Sequence, residues 1–128
     1  MPHTTTFRIY YEDTDSGGVV YYANYLKFAE RARTELLRAK GINQSTIASD
    51  AGVLFVVRRA NLELFSPARL DDLLEINTHI KNISGASINM LQEISCNGNK
   101  IAELDVLVVC INQNFKPCRI PGNIKNLL

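Results

Sequence analysis

The chain has 128 residues, 46% of them apolar and 21% charged, with a formal net charge of +1. That size and balance suit one globular domain over 1–128, and they exclude a disordered chain or a dedicated surface for the phosphate backbone of nucleic acid. Cys96, Cys110 and Cys118 are odd in number and lack Cys-x-x-Cys spacing, and the two histidines, His3 and His79, stand far apart, so no disulfide framework, metal site or cofactor is expected. The opening Met-Pro-His-Thr-Thr-Thr lacks an apolar signal core, and no apolar run approaches the roughly 18 residues needed to span a bilayer, which points to a cytoplasmic protein.

In chain order, residues 4–12 are rich in β-branched and aromatic types and predict a strand. It runs into Asp13-Thr14-Asp15-Ser16-Gly17-Gly18, where side chains able to bond local amides meet two glycines, the composition of a loop. From about Tyr22 to Lys40, a step of roughly 100° per residue gathers Tyr22, Tyr25, Leu26, Phe28, Ala29, Ala32, Leu36 and Leu37 on one arc, which predicts a helix. Gly41 stands where a C-terminal cap belongs. Arg33 projects into the middle of the arc, where an unpaired charge is costly, so it needs an acidic or carbonyl partner or a route past the edge of the core.

Residues 42–51 read as a short helix or irregular connection. Val56 to Leu64 then alternates as a strand does and is stopped by Pro67, and Leu74 to Lys81 alternates likewise. Ser84-Gly85 makes a turn, Ile88 to Cys96 is another strand, and Asn97-Gly98-Asn99 is a hairpin signal leading into 101–112. Four consecutive antiparallel strands are expected. Val106 to Ile111 lacks a polar face, which suggests a central strand covered on both sides. One long helix cannot cover both faces of a five-stranded sheet, so a second copy of the chain is expected against the remaining face or edge.

The usual nucleophile and metal arrangements lack their parts: there is no Gly-x-Ser-x-Gly elbow, and Ser16-Gly17-Gly18 lacks the lysine and spacing of a phosphate loop. What is concentrated is carboxylate, with Glu12, Asp13 and Asp15 just ahead of the helix. First-turn N–H groups have no intrahelical acceptor and carry about half a positive charge, so they can polarise a carbonyl oxygen. A nearby carboxylate can attack that carbonyl or deprotonate a water. A thioester suits this equipment, because a thiolate leaves without a strong general acid. The same residues also fit helix caps or ordinary turn chemistry, and less well a calcium loop, since Val19, Val20, Tyr21 and Tyr22 stand where an EF-hand loop would continue; residue chemistry alone leaves these readings open.

The segment Tyr10 to Arg38, YYEDTDSGGVVYYANYLKFAERARTELLR, closely resembles the opening motif of hotdog-fold acyl-CoA thioesterases. It is most similar to the Tol-Pal-associated YbgC type within the 4-hydroxybenzoyl-CoA thioesterase family. LFVVRRANLELFSPARLDDLLEI at 54–76 and VLVVCIN at 106–112 follow in the expected order, so the resemblance spans nearly the whole chain. It implies an α+β hotdog fold, with a five-stranded antiparallel sheet wrapped around one long helix, assembled as a homodimer or homotetramer with active sites at the dimer interface.

By motif position, the resemblance makes Asp15 the catalytic carboxylate and the Tyr22 backbone N–H the group that polarises the thioester carbonyl. Gly17 and Gly18 shape the turn between them, and Asp13 takes a structural part, orienting the loop or pairing with Arg33. The chain departs from the motif at Tyr22, where histidine is frequent; the backbone role survives that change. Asn82-Ile83-Ser84-Gly85-Ala86 stands where the 4-hydroxybenzoyl-CoA enzymes carry a basic cluster for nucleotide phosphates. CoA docking then falls to Arg58 and Arg59, with Arg69, Lys81 and Lys116 as further candidates. The implied activity is cofactor-free hydrolysis of short- to medium-chain or aromatic acyl-CoA, with acyl carrier protein as a second candidate partner. The alternative is a non-catalytic module binding acyl-CoA or acyl carrier protein. A hotdog dehydratase is disfavoured, since the helix start has no histidine.

Overall fold

The predicted helix forms as α1 (Ala23–Ala39) and closes where its glycine requires. Gly41, at φ 84°, donates its N–H to the Arg38 carbonyl at 3.0 Å, and Ile42 donates to that of Leu37 at 2.8 Å, the paired bonds that end a helix on a left-handed residue. Tyr25, Phe28, Ala29, Ala32, Leu36 and Leu37 are buried. Tyr22 and Leu26, assigned to the same arc from periodicity, are instead 56% and 42% exposed; Tyr22 is the residue before the first turn.

The computed structural model describes residues 2–128. Its strands are β1 (His3–Arg8), β2 (Leu54–Leu64), β3 (Leu73–Ile83), β4 (Ser87–Cys96) and β5 (Asn99–Ile111), with short helices α2 (Gln44–Asp50) and α3 (Gly122–Lys125). They form one antiparallel sheet in the order β1-β3-β4-β5-β2. β3, β4 and β5 are consecutive hairpins, and Asn97 (φ 51°) and Gly98 (φ 81°) supply the two left-handed residues that the tight β4–β5 turn needs.

Two expectations change here. β2 is not a neighbour of β3; it lies at the far edge against β5, because connection 65–72 crosses three strand spacings, about 14 Å, which eight residues span easily. The central strand is therefore β4, and the apolar run in β5 is one place from the edge. The first strand also stops early, at Arg8 rather than at residue 12. Ile9 turns into the core, exchanging backbone bonds with Asp71 and Asp72, and a 3-10 turn at Tyr11–Asp13 is closed by Asp13 Oδ2, which accepts the Tyr10 N–H at 2.8 Å.

The core lies between α1 and the inner face of the sheet, where Leu74, Ile76, Ile88, Met90, Ile94, Leu104 and Val106 are almost wholly buried. One polar side chain crosses this layer. Gln92, fully buried on β4, donates through Nε2 to the Ala29 carbonyl (2.8 Å) and Thr78 Oγ1 (3.1 Å), and its Oε1 accepts from Arg33 Nη1 at 2.9 Å. Arg33 thus has a carbonyl partner and not Asp13, and burial holds its guanidinium below the ordinary arginine range, partly offset by Glu30. The outer edge of β2 has no partner strand and exposes Leu54, Val56, Val57 and Leu64. Among the described residues no helix is long and apolar enough to cross a membrane.

Candidate active site

Residues 13–21 make a small hairpin. Thr14 bridges Val20, the Asp15 N–H donates to the Val19 carbonyl at 2.9 Å, and the Tyr21 N–H donates to the Asp13 carbonyl at 2.9 Å. At the tip the Gly18 N–H donates to the Asp15 carbonyl at 3.0 Å; Gly18 sits at φ 78°, a conformation that glycine takes without penalty. The Asp15 carboxylate folds over its own turn, Oδ1 accepting the Gly17 N–H at 2.8 Å. One oxygen fixes the side chain, and the other has no protein donor among the described residues, so the exposed carboxylate keeps one oxygen open to solvent. A Cβ at position 17 would stand 3.2 Å from Asp15 Oδ1, so glycine there keeps the carboxylate in place.

The hairpin leads directly into α1. The Asp13 carbonyl also accepts from Asn24 Nδ2 at 2.9 Å, which ties the first helical turn back to the loop. Tyr22 precedes the helix, and its N–H has no acceptor among the described residues, as expected of a helix start. Asp15, Gly17, Gly18 and Tyr22 are therefore brought together on one short unit. Asn24 was not singled out from sequence; an asparagine in a first helical turn, where it is a weak helix former, is the signal that could have found it.

The proposed CoA-binding arginines are placed differently. Arg58 and Arg59 are exposed on β2, beside the register shift between Val57 and Arg59, and among the described residues neither is bridged or hydrogen-bonded to the Asp15 hairpin. Arg69 does: it bridges Val19, while the Val20 N–H donates to the Ala68 carbonyl at 2.8 Å, so connection 65–72 anchors the hairpin. Lys81 is paired with Asp105 at 3.1 Å, and His79 Nε2 lies 2.9 Å from Glu93 Oε1.

Two hollows show how α1 runs against the sheet edge. Near its start, Tyr22 and Tyr25 share a hollow with Leu64 and Phe65 at the end of β2. Further along, Arg33 and Leu37 share a cleft with Phe55 and Val57 at the beginning of β2 and with Met90 and Val108 on its floor. The helix and the edge strand are thus antiparallel. Burial in the first hollow raises the Tyr25 phenol above its ordinary pKa.

The sequence matches a known family: the model of the thioesterase-like superfamily covers residues 10–128. The chain belongs to that superfamily. Within it, the acyl-CoA thioester hydrolase YbgC of Escherichia coli O6:H1 is 45% identical over 95% of each chain. The acyl-CoA thioesterase YbgC of Helicobacter pylori strain 26695 is 37% identical over 94% of this chain and 96% of its own. Among solved structures, a probable thioesterase from Bartonella henselae superposes with a TM-score of 0.91 at 40% identity, over 94% of this chain and 100% of that one. A 1,4-dihydroxy-2-naphthoyl-CoA thioesterase from Synechocystis superposes at 0.90 and 25% identity, over 99% and 95%. The chain is a YbgC-type hotdog protein of the thioester hydrolase class.

Proposed function

We propose that the whole chain acts as one hotdog domain that hydrolyses short- to medium-chain or aromatic acyl-CoA, with Asp15 as the catalytic carboxylate. The observation that carries this reading is that Asp15, with one oxygen free, and Tyr22, with an open N–H, stand on the same hairpin-to-helix unit, tied by Asp13, Gly18 and Asn24. The thioester oxygen takes the Tyr22 N–H, which draws charge away from the carbonyl carbon. Asp15 then either attacks that carbon, giving a mixed anhydride, or takes a proton from a water that attacks it. In both courses the C–S bond breaks and the CoA thiolate leaves; in the first, water then cleaves the mixed anhydride, releasing the free acid and restoring the Asp15 carboxylate.

The unpartnered edge of β2 supports a dimer as the working unit. Two β2 strands paired antiparallel about a two-fold axis would cover Val56 and Val57 and continue the sheet. Because α1 is antiparallel to β2, that pairing sets the Asp15 hairpin of one copy opposite the cleft of Phe55, Val57 and Arg33 on the other, which would receive the acyl group. Arg58 and Arg59 lend positive charge for the CoA phosphates, and Arg69, beside the hairpin, adds a third. The free cysteines suit a reducing, cytoplasmic setting.

The test is free-thiol release from a panel of acyl-CoA and acyl-carrier-protein thioesters. Asp15→Asn keeps the acceptor for the Gly17 N–H, so it preserves the loop while lowering kcat by about 100-fold or more. An Asn variant with full activity, or tight binding of every ester with no thiol released by the wild type, would sink the proposal.

A further inference from the structure

The C-terminal chain doubles back along β5. Asn112 Oδ1 accepts the N–H of Asn114 (2.9 Å) and Lys116 (3.2 Å), and the Asn112 N–H donates to the Lys116 carbonyl at 2.9 Å, which shapes the turn. Ile111 then bridges Pro117, and the Cys118 N–H donates to the Cys110 carbonyl at 2.9 Å. Cys110 and Cys118 consequently face each other with their sulfurs 3.6 Å apart. Both thiols are free, Cys110 buried and Cys118 half-buried. Beyond them the tail carries Ile120 and Ile124 into the core, and the Ile120 N–H donates to the Gly85 carbonyl at 2.9 Å.

We propose that Cys110 and Cys118 form a reversible dithiol–disulfide site that fastens the C-terminal tail to the sheet. The oxidant is a low-molecular-weight disulfide, RSSR, a class that includes the oxidised form of any thiol released by thioester hydrolysis. The accessible Cys118 reacts first: its thiolate attacks one sulfur of RSSR, a protein–S–S–R bond forms, and RS⁻ leaves and takes up a proton. The Cys110 thiol then gives its proton to water and attacks Cys118 Sγ, which breaks the mixed disulfide and expels the second RS⁻. Two electrons pass from the protein to RSSR, and two thiols plus RSSR become one protein disulfide and two RSH.

The order of attack follows from burial and charge. Burial, with the adjacent Cys118 sulfur, pushes the Cys110 thiol up to about 12, so it is not the first nucleophile near neutral pH. Once Cys118 is capped by R it can no longer be an anion, and its share of that rise disappears. The backbone bond between the two residues already opposes them, and the sulfurs have to close only from 3.6 Å to the bonding distance of about 2.05 Å.

The experiment equilibrates the full chain in glutathione buffers graded from reduced to oxidised, quenches with acid, alkylates after unfolding, and maps the cysteine peptides by mass spectrometry. The expected result is a single transition to a Cys110–Cys118 link, reversed by dithiothreitol, with Cys96 alkylated throughout. The oxidised chain should melt higher by about 5 °C or more; Cys118→Ser should show neither the link nor the rise while melting like the reduced wild type, and Cys110→Ser, which buries a hydroxyl and melts lower, should show no rise on oxidation. A stable glutathione adduct on Cys118 without the link, thiols that stay alkylatable across the series, or a link with an unchanged melting temperature would each overturn the proposal.

Discussion

Arg33 Nη1 and Gln92 Oε1 meet at 2.9 Å and join the middle of the long helix to the central strand. Gln92 spends both of its ends here, so the contact couples one charge and three neutral groups within the core layer. Gln92→Leu strands the guanidinium and should cost about 2–4 kcal/mol, whereas Arg33→Met leaves only a neutral amide oxygen unpaired and should cost about 1–3 kcal/mol. The double variant should lose clearly less than the sum. Urea denaturation of the four proteins measures this, and strict additivity would show that the two residues are not coupled.

Gly17 and Gly18 adjoin in sequence but should fail differently. Ala at 18 meets no atom yet must hold φ 78°, so Gly18→Ala should lower stability by about 1–2 kcal/mol. Ala at 17 carries no such strain but places a methyl 3.2 Å from the Asp15 carboxylate. Gly17→Ala should therefore lower kcat several-fold with little change in melting temperature. Thermal melts and thiol-release assays on both variants separate the cases, and the reverse pattern would contradict the geometry.

Assembly should depend on the outer edge of β2. Light scattering of the wild type should report a dimer or tetramer, and Val57→Asp, which charges an exposed edge position 47% open in a lone protomer, should give a folded monomer with little thioesterase activity. A monomeric wild type with full turnover would remove the shared-site reading.

Stability should fall on the alkaline side. Tyr25 and Cys110 both have raised pKa values in the fold, so below about pH 9 they are protonated in folded and unfolded chains alike and their contribution is complete. As pH rises past 9.0 for the thiol and 10.0 for the phenol, the unfolded chain loses its protons first, and stability declines until the folded groups ionise, near 12 for Cys110. Urea midpoints measured from pH 8 to about 11 should fall steadily, and Cys110→Ser should flatten the curve. An unchanged slope in that variant would point to other groups.

The candidate site is local in sequence: Asp15, Gly17, Gly18 and Tyr22 lie within eight positions, so their placement on one loop and helix start was legible, whereas their roles came from the resemblance of 10–38, since local chemistry fits caps and turns as well. The helix was equally plain, since seventeen residues of one period end on Gly41. The position of β2 was not, because alternation records which face a residue takes and says nothing of its neighbouring strand. β-propensity overran Arg8 since it does not register the Asp13 carboxylate capping Tyr10. Arg69 and the opposed cysteines depend on where the chain returns, and residue spacing carries no trace of that.

The antiparallel run of α1 and β2 has a genetic consequence. If each centre draws its acid from one copy and its acyl cleft from the other, a protomer lacking Asp15 and a protomer with a blocked cleft are both dead as homodimers. Mixed, they regain one intact centre out of two. Such complementation between two null alleles would be visible in a cell carrying both, and it would distinguish a centre divided between copies from one that each chain completes alone.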